Sequence, residues 1–90
     1  MSITWDELKE EIVLTEEERE AVKLEEKLIE TLVQIREEKG LSQVQLAKLC
    51  NVKQPSIARM EKKMHSPQIG SLLKLLVPLG YTLEIVPIKK

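Results

Sequence analysis

Phenylalanine is absent from this 90-residue chain, and Trp5 and Tyr81 are its only aromatic residues. Any core must therefore be aliphatic, a Leu, Ile and Val core on helices that can hold at this size and that dimerisation would help. The single cysteine, Cys50, excludes an internal disulfide and a multi-cysteine zinc site. Three glycines, at 40, 70 and 80, lie too far apart to form a phosphate-cradling loop. No Cys/His/Asp constellation and no metal-ligand spacing accompany the lone His65, and nothing shifts the many helical carboxylates toward acid–base work. Long apolar runs are missing too: the longest, residues 75–79, contains Pro78 and is far short of the ~20 residues that span a bilayer. The opening residues 1–7 lack the basic start and apolar stretch of a signal peptide. These absences predict a cytoplasmic chain with no catalytic site, no metal, no cofactor and no membrane contact.

Charge is plentiful but divided. The net charge of −1 splits into −7 over residues 1–40 and +6 over residues 41–90. Such polarity suggests an anionic partner for the C-terminal half and a cationic one for the N-terminal half, unless the two halves neutralise each other.

The periodicity is mostly helical. Thr4-Trp5-Asp6-Glu7 reads as a capping box, and Trp5, Leu8 and Ile12 form the stripe of a short helix. Thr15-Glu16-Glu17-Glu18 is a second box with an acidic first turn, opening a long helix over roughly 16–39. Its stripe is Leu24, Leu28, Leu32 and Ile35, widened by Val22, Ile29 and Val33, and Gly40 is its stop. Ser42-Gln43-Val44-Gln45 is a third box and begins a short helix that Asn51 ends. Gln54-Pro55 begins another, with Ile57 and Met60 inward, and Ser66-Pro67 an N-cap and N1 pair before a last helix ending near Gly80. Residues 81–88 alternate and read as one strand. A lone strand cannot satisfy its backbone groups, so an antiparallel pairing with the same strand of a second copy is expected.

Residues 43–59 are the most informative. Two short helices flank a tight turn, with Ala47 at the close crossing, Asn51 in the turn, Val52 in the corner and Ile57 on the inner face. That spacing is what a helix-turn-helix needs to present its second helix to the DNA major groove. Between Gln43 and Lys63 stand five basic residues (Lys48, Lys53, Arg59, Lys62, Lys63) and one acid, Glu61. Outside this packing set, Lys53, Gln54, Ser56, Arg59, Lys62 and Lys63 are left facing outward.

Gly40-Leu41-Ser42-Gln43-Val44-Gln45-Leu46-Ala47, then Asn51-Val52-Lys53-Gln54-Pro55-Ser56-Ile57-Ala58-Arg59-Met60-Glu61, then Ser66-Pro67, closely resembles the Xre/Cro-type helix-turn-helix. The likeness runs from about Ile35 to Gly80, half the chain, without a gap. It departs at Lys53, where the family has a Ser or Thr cap, and at Asn51, where it has Gly. An acidic helical extension before the domain and the short tail Gly80-Tyr81-Thr82-Leu83-Glu84-Ile85-Val86 after it look like HigA-type antitoxins. That resemblance implies a protein that binds a basic RelE/HigB-like mRNA-cleaving toxin and, as a homodimer, binds operator double-stranded DNA to repress its own operon. It also implies that Gln43, Gln54, Ser56 and Arg59 are base or phosphate contacts, and that Lys53, Lys62 and Lys63 contact phosphates.

The expected fold is therefore all-α: a five-helix Xre/Cro-type domain, an acidic N-terminal extension and a short C-terminal β-strand that pairs across a dimer. Its parts are a toxin-binding extension over residues 1–23, a DNA-binding domain over 24–80 and a dimerisation strand over 81–90. Trp5, Leu8, Glu11, Ile12 and Glu16 are the candidate toxin contacts, and Tyr81, Leu83 and Ile85 the candidate dimer contacts. Two other readings stay open: a stand-alone Xre-type repressor whose N-terminal helices only extend the core, and an adaptor that recruits proteins in place of DNA. Cys50 reads as a small core filler and His65 as a surface residue, while Trp5 either packs on its own domain or anchors a partner.

Overall fold

The computed structural model describes residues 15–88 as four α-helices and one short 3₁₀ turn. They are α1 Glu16–Glu38, α2 Gln43–Cys50, α3 Gln54–Glu61 and α4 Ile69–Leu76, followed by the 3₁₀ turn Val77–Leu79. The starts of α1 and α2 have a local cause. At the start of α1, Thr15 Oγ1 accepts the Glu18 amide at 3.1 Å and donates to the Glu18 carboxylate at 3.0 Å, next to the acidic turn Glu16-Glu17-Glu18. The start of α2 is a full capping box, with Gln45 N–H donating to Ser42 Oγ at 3.1 Å and Ser42 N–H to Gln45 Oε1 at 2.8 Å.

All four helical ends are closed by one device. The Leu41 amide reaches back to the Arg36 carbonyl and the Gly40 amide to Glu37, with Gly40 at φ +70°. The same pair of bonds recurs after α3, from Met64 to Arg59 and from Lys63 to Met60, and after the 3₁₀ turn, from Tyr81 to Leu76 and from Gly80 to Val77. These are Schellman closures, which require a left-handed residue and satisfy carbonyls the helix leaves orphaned. After α2 the left-handed residue is Asn51, at φ 55° and ψ 47°, and the Val52 amide reaches the Ala47 carbonyl at 3.0 Å. After α3 it is Lys63, at φ 57°, a side chain that bears a strain glycine would not.

A single aliphatic cluster holds the helices together: Ile29, Leu32 and Ile35 from α1, Leu46 and Ala47 from α2, Ile57 and Met60 from α3, and Leu72, Leu75, Leu76 and Leu79. Leu41, Cys50, Val52 and Leu83 pack against it. The buried seam of α1 is Val22, Ile29, Leu32 and Ile35, so the expected stripe is displaced: Leu24 and Leu28 are exposed. At helical spacing the seam continues through Glu25 and Glu26, both half-buried, and those positions face the turn after α3.

The expected five helices and C-terminal strand are not what the described residues form. The expected helix through Trp5, Leu8 and Ile12 lies outside them, leaving four α-helices. Residues 81–88 form no strand, because no second strand in the described residues accepts their backbone bonds. The alternation that suggested a sheet has another cause at Leu83, whose side chain packs onto the helical core, while Ile85 is fully exposed and Tyr81 exposed. The last helix also begins later than the Ser66-Pro67 pair suggested. Gln68 is its N-terminal flank, and the Ser66 hydroxyl donates to Glu25 on α1 at 2.7 Å.

The left-handed turn at Asn51 sets the α2–α3 angle. Asn51→Ala should lower stability by about 1 kcal/mol, since alanine tolerates that conformation poorly, and Asn51→Gly should cost nothing or stabilise slightly. Thermal melts should show a fall of roughly 4–8 °C for the alanine variant alone. Equal losses in both would assign the cost to the amide side chain.

Candidate nucleic-acid interface

The outer face of α3 carries Ser56, Arg59 and Lys62 at successive three-residue steps, all exposed, with Lys53 exposed just before the helix. The inner face carries Ile57 and Met60 in the core. Lys53 makes no side-chain cap, so its ammonium stays available, and Pro55 in the first turn removes a donor that has no helical partner. The helix therefore stands out from the core with donors along one side, a form the major groove accommodates.

The two glutamines expected at the interface are tied to one another. Gln54 Nε2 donates to Gln43 Oε1 at 2.8 Å, and Gln43 Nε2 donates to Glu61 Oε1 at 2.9 Å. Glu61 is in turn gripped by Arg36, whose Nε and Nη2 donate to its two oxygens at 2.7 and 2.9 Å. The third guanidinium nitrogen, Nη1, donates to the Leu41 carbonyl at 2.8 Å. A continuous relay thus runs from the end of α1 to the end of α3, on to the start of α2 and back to the start of α3. The Arg36 and Glu61 side chains are only 13% and 9% exposed. Hydrogen bonding to Glu61 outweighs the opposing effect of burial and holds the Arg36 guanidinium above its ordinary value. This pair escaped the sequence reading. Glu61 stood in the sequence only as the one acid among five cations, and that isolation was the signal.

Other candidates are placed elsewhere. Lys63 is turned onto α1, its Nζ 2.7 Å from Glu30 Oε1 and 3.9 Å from Glu26 Oε2. Lys48, Lys53, Arg59 and Lys62 have no carboxylate partner among the described residues and keep this side of the molecule cationic. Glu16 is exposed in the first turn of α1, whereas Trp5, Leu8, Glu11 and Ile12 lie outside the described residues. Cys50 packs by the core with its thiol pointed at the Leu75 carbonyl, and burial pushes that thiol up, away from the reactive thiolate form.

The relay yields a stability prediction. Glu61→Ala should cost about 3 kcal/mol, because it leaves a half-buried guanidinium unpaired, whereas Arg36→Met with Glu61→Leu should come much closer to the parent. Urea denaturation of the single and double variants checks this, and equal destabilisation by both would show that the pair is not the source of the loss.

Comparison with known proteins follows the same lines. A family model described as helix-turn-helix matches residues 32–86. A protein named "Uncharacterized HTH-type transcriptional regulator", from Haemophilus influenzae, is 49% identical over 85 residues, 94% of this chain and 86% of that one. A solved structure described as "Toxin-Antitoxin module from Streptococcus pneumoniae" superposes with a TM-score of 0.69 at 36% identity, over 99% of this chain and 97% of its own. The α2–turn–α3 unit lies within the matched segment, and the likeness to both relatives extends well beyond it. This chain belongs to the Xre-type helix-turn-helix family of transcriptional regulators.

Proposed function

We propose that the chain is the antitoxin of a toxin–antitoxin module, which binds and neutralises a basic RelE/HigB-like mRNA-cleaving toxin and, as a homodimer, binds operator DNA to repress its own operon. The observation that carries this reading is the likeness to the Streptococcus pneumoniae module over 99% of the chain, acidic N-terminal half included. The division of charge supports it. An exposed acidic start to α1 suits a toxin that must itself approach a polyanion, and the cationic face of α3 suits operator phosphates. Within the operator, Arg59 is the reader of guanine, while Lys53 and Lys62 contact phosphates. Two α3 helices of a homodimer would occupy half-sites about 34 Å apart. Trp5, Leu8 and Ile12 are the apolar anchors offered to the toxin, and Glu11 and Glu16 the acidic contacts.

A second reading, a repressor without a toxin, is favoured by the name of the Haemophilus influenzae relative, which specifies transcriptional regulation alone. Co-expression with the neighbouring gene separates the two. The antitoxin reading expects a basic product that copurifies with this chain and stops killing the host. A neighbour that neither binds nor harms the host leaves the repressor reading standing alone.

On DNA, Arg59→Ala should cost about 1–3 kcal/mol on the preferred duplex and flatten the preference between sequences. Lys62→Ala should weaken every sequence alike. Binding isotherms on a duplex from the chain's upstream region and on a scrambled one supply the measurement. Unchanged preference in the Arg59 variant would remove it from base reading. On the toxin side, Trp5→Ala with Leu8→Ala should weaken the complex by several kcal/mol, on the order of interface hot spots, and leave DNA binding nearly intact.

A further inference from the structure

Between α3 and α4 lies an open groove of about 710 Å³ whose lining includes Arg59 on one wall and Lys74 on the other. Ser56, His65, Gln68 and Ser71 add donors around it, and no carboxylate lines it. Its apolar floor belongs to the core. Ser66, at one lip, already gives its hydroxyl to Glu25. Among the described residues, the side chains of Arg59, Gln68, Ser71 and Lys74 have no hydrogen-bond or ion-pair partner. The contrast with the rest of the fold is sharp. Arg36 and Lys63 are each held by a carboxylate, in a chain with 15 acids to supply them, whereas two cations face one groove without any. Like charges across a shared groove repel, and a bound anion would relieve that repulsion as well as gain two contacts.

The geometry points to this groove as a second DNA-binding element: it seats the sugar–phosphate backbone of the strand flanking α3, with the Lys74 ammonium and the Ser71 hydroxyl as phosphate ligands. Neither residue belongs to the helix-turn-helix unit, and neither stands out in the sequence. The occupant is a DNA strand because Arg59 belongs to both surfaces. A helix seated in the major groove by Ser56, Arg59 and Lys62 brings the adjoining phosphates to the wall that Arg59 shares with Lys74. This rests on the reading of α3 as the DNA-facing helix. It adds that α4 contributes affinity without sequence preference.

The test is Lys74→Ala, measured against Lys27→Ala, which makes the same charge change on exposed α1 outside the groove. Both are titrated with a duplex from the chain's upstream region and with a scrambled duplex of equal length, over a range of KCl concentrations. Lys74→Ala should weaken both duplexes alike, by roughly eightfold at about 0.1 M salt, and make the slope of log affinity against log salt shallower by about one. Lys27→Ala should leave the slope unchanged. Ser71→Ala should weaken both duplexes to a smaller degree at the same slope. The proposal is overturned if Lys74→Ala binds with parental affinity and slope, if Lys27→Ala matches its loss, or if the ratio between the two duplexes changes. Parental protein that binds neither duplex overturns the DNA-facing reading of α3, and this inference with it. Parental binding with an indifferent Lys74 variant sinks this inference alone.

Discussion

The Arg36–Glu61 pair is the contact on which the orientation of α3 depends. A guanidinium has five donors in a rigid fork, and here that fork is used on two oxygens of one carboxylate and one backbone carbonyl. The carboxylate sits at the last residue of α3, the guanidinium near the end of α1, and the carbonyl in the turn that leads into α2. Three elements are thereby fixed against each other at one point. Gln43 and Gln54 extend the lock to both helix starts, so that the angle of α3 is set by hydrogen bonding as well as by the aliphatic core. Hydrophobic contacts alone are non-directional, whereas this network specifies one register. Helices of eight residues need such support, since they are too short to be stable in isolation.

The same economy explains how an acidic half and a basic half coexist in one small domain. Some of the opposite charges are used internally, Arg36 with Glu61 and Lys63 with Glu30, and these pairs join α1 to α3 and to the turn after it. The charges left over are segregated. The start of α1 presents Glu16, Glu17 and Glu18 to solvent, and α3 presents Arg59 and Lys62. The halves do neutralise each other in part, and the remainder makes two surfaces of opposite sign. The two partners of the proposed function would thus meet separate surfaces.

Much of this was legible because it is local. Ser42 with Gln45 announces a helix start within four residues, Gly40 announces a stop, and the Ala47, Asn51 and Ile57 spacing defines how two helices cross. What failed to show depends on distant partners. The stripe through Leu24 and Leu28 is as apolar as the true seam, and only the position of the other helices decides which side faces in. The alternation in residues 81–88 was read at a strand's period, yet Leu83 reaches a helical core and Ile85 reaches nothing in the described chain. Ser66 looked like a helix cap and became a donor to Glu25, 41 residues away, which no local rule could foresee. For the candidate site, Ser56, Arg59 and Lys62 stand where the motif put them, outward on α3. Gln43, Gln54 and Lys63 proved to have partners within the fold, and Lys74 was invisible until α4 lay beside α3.

The central claim is that DNA meets the α3 side of the molecule and leaves the acidic start of α1 alone. Amide chemical shifts of the isotope-labelled chain, followed while a duplex from its upstream region is added, test it residue by residue. The account predicts shifts centred on Lys53, Ser56, Arg59 and Lys62, extending to Lys74, with Glu16 to Leu24 unmoved. Shifts centred on the first half of α1, with α3 silent, would contradict it.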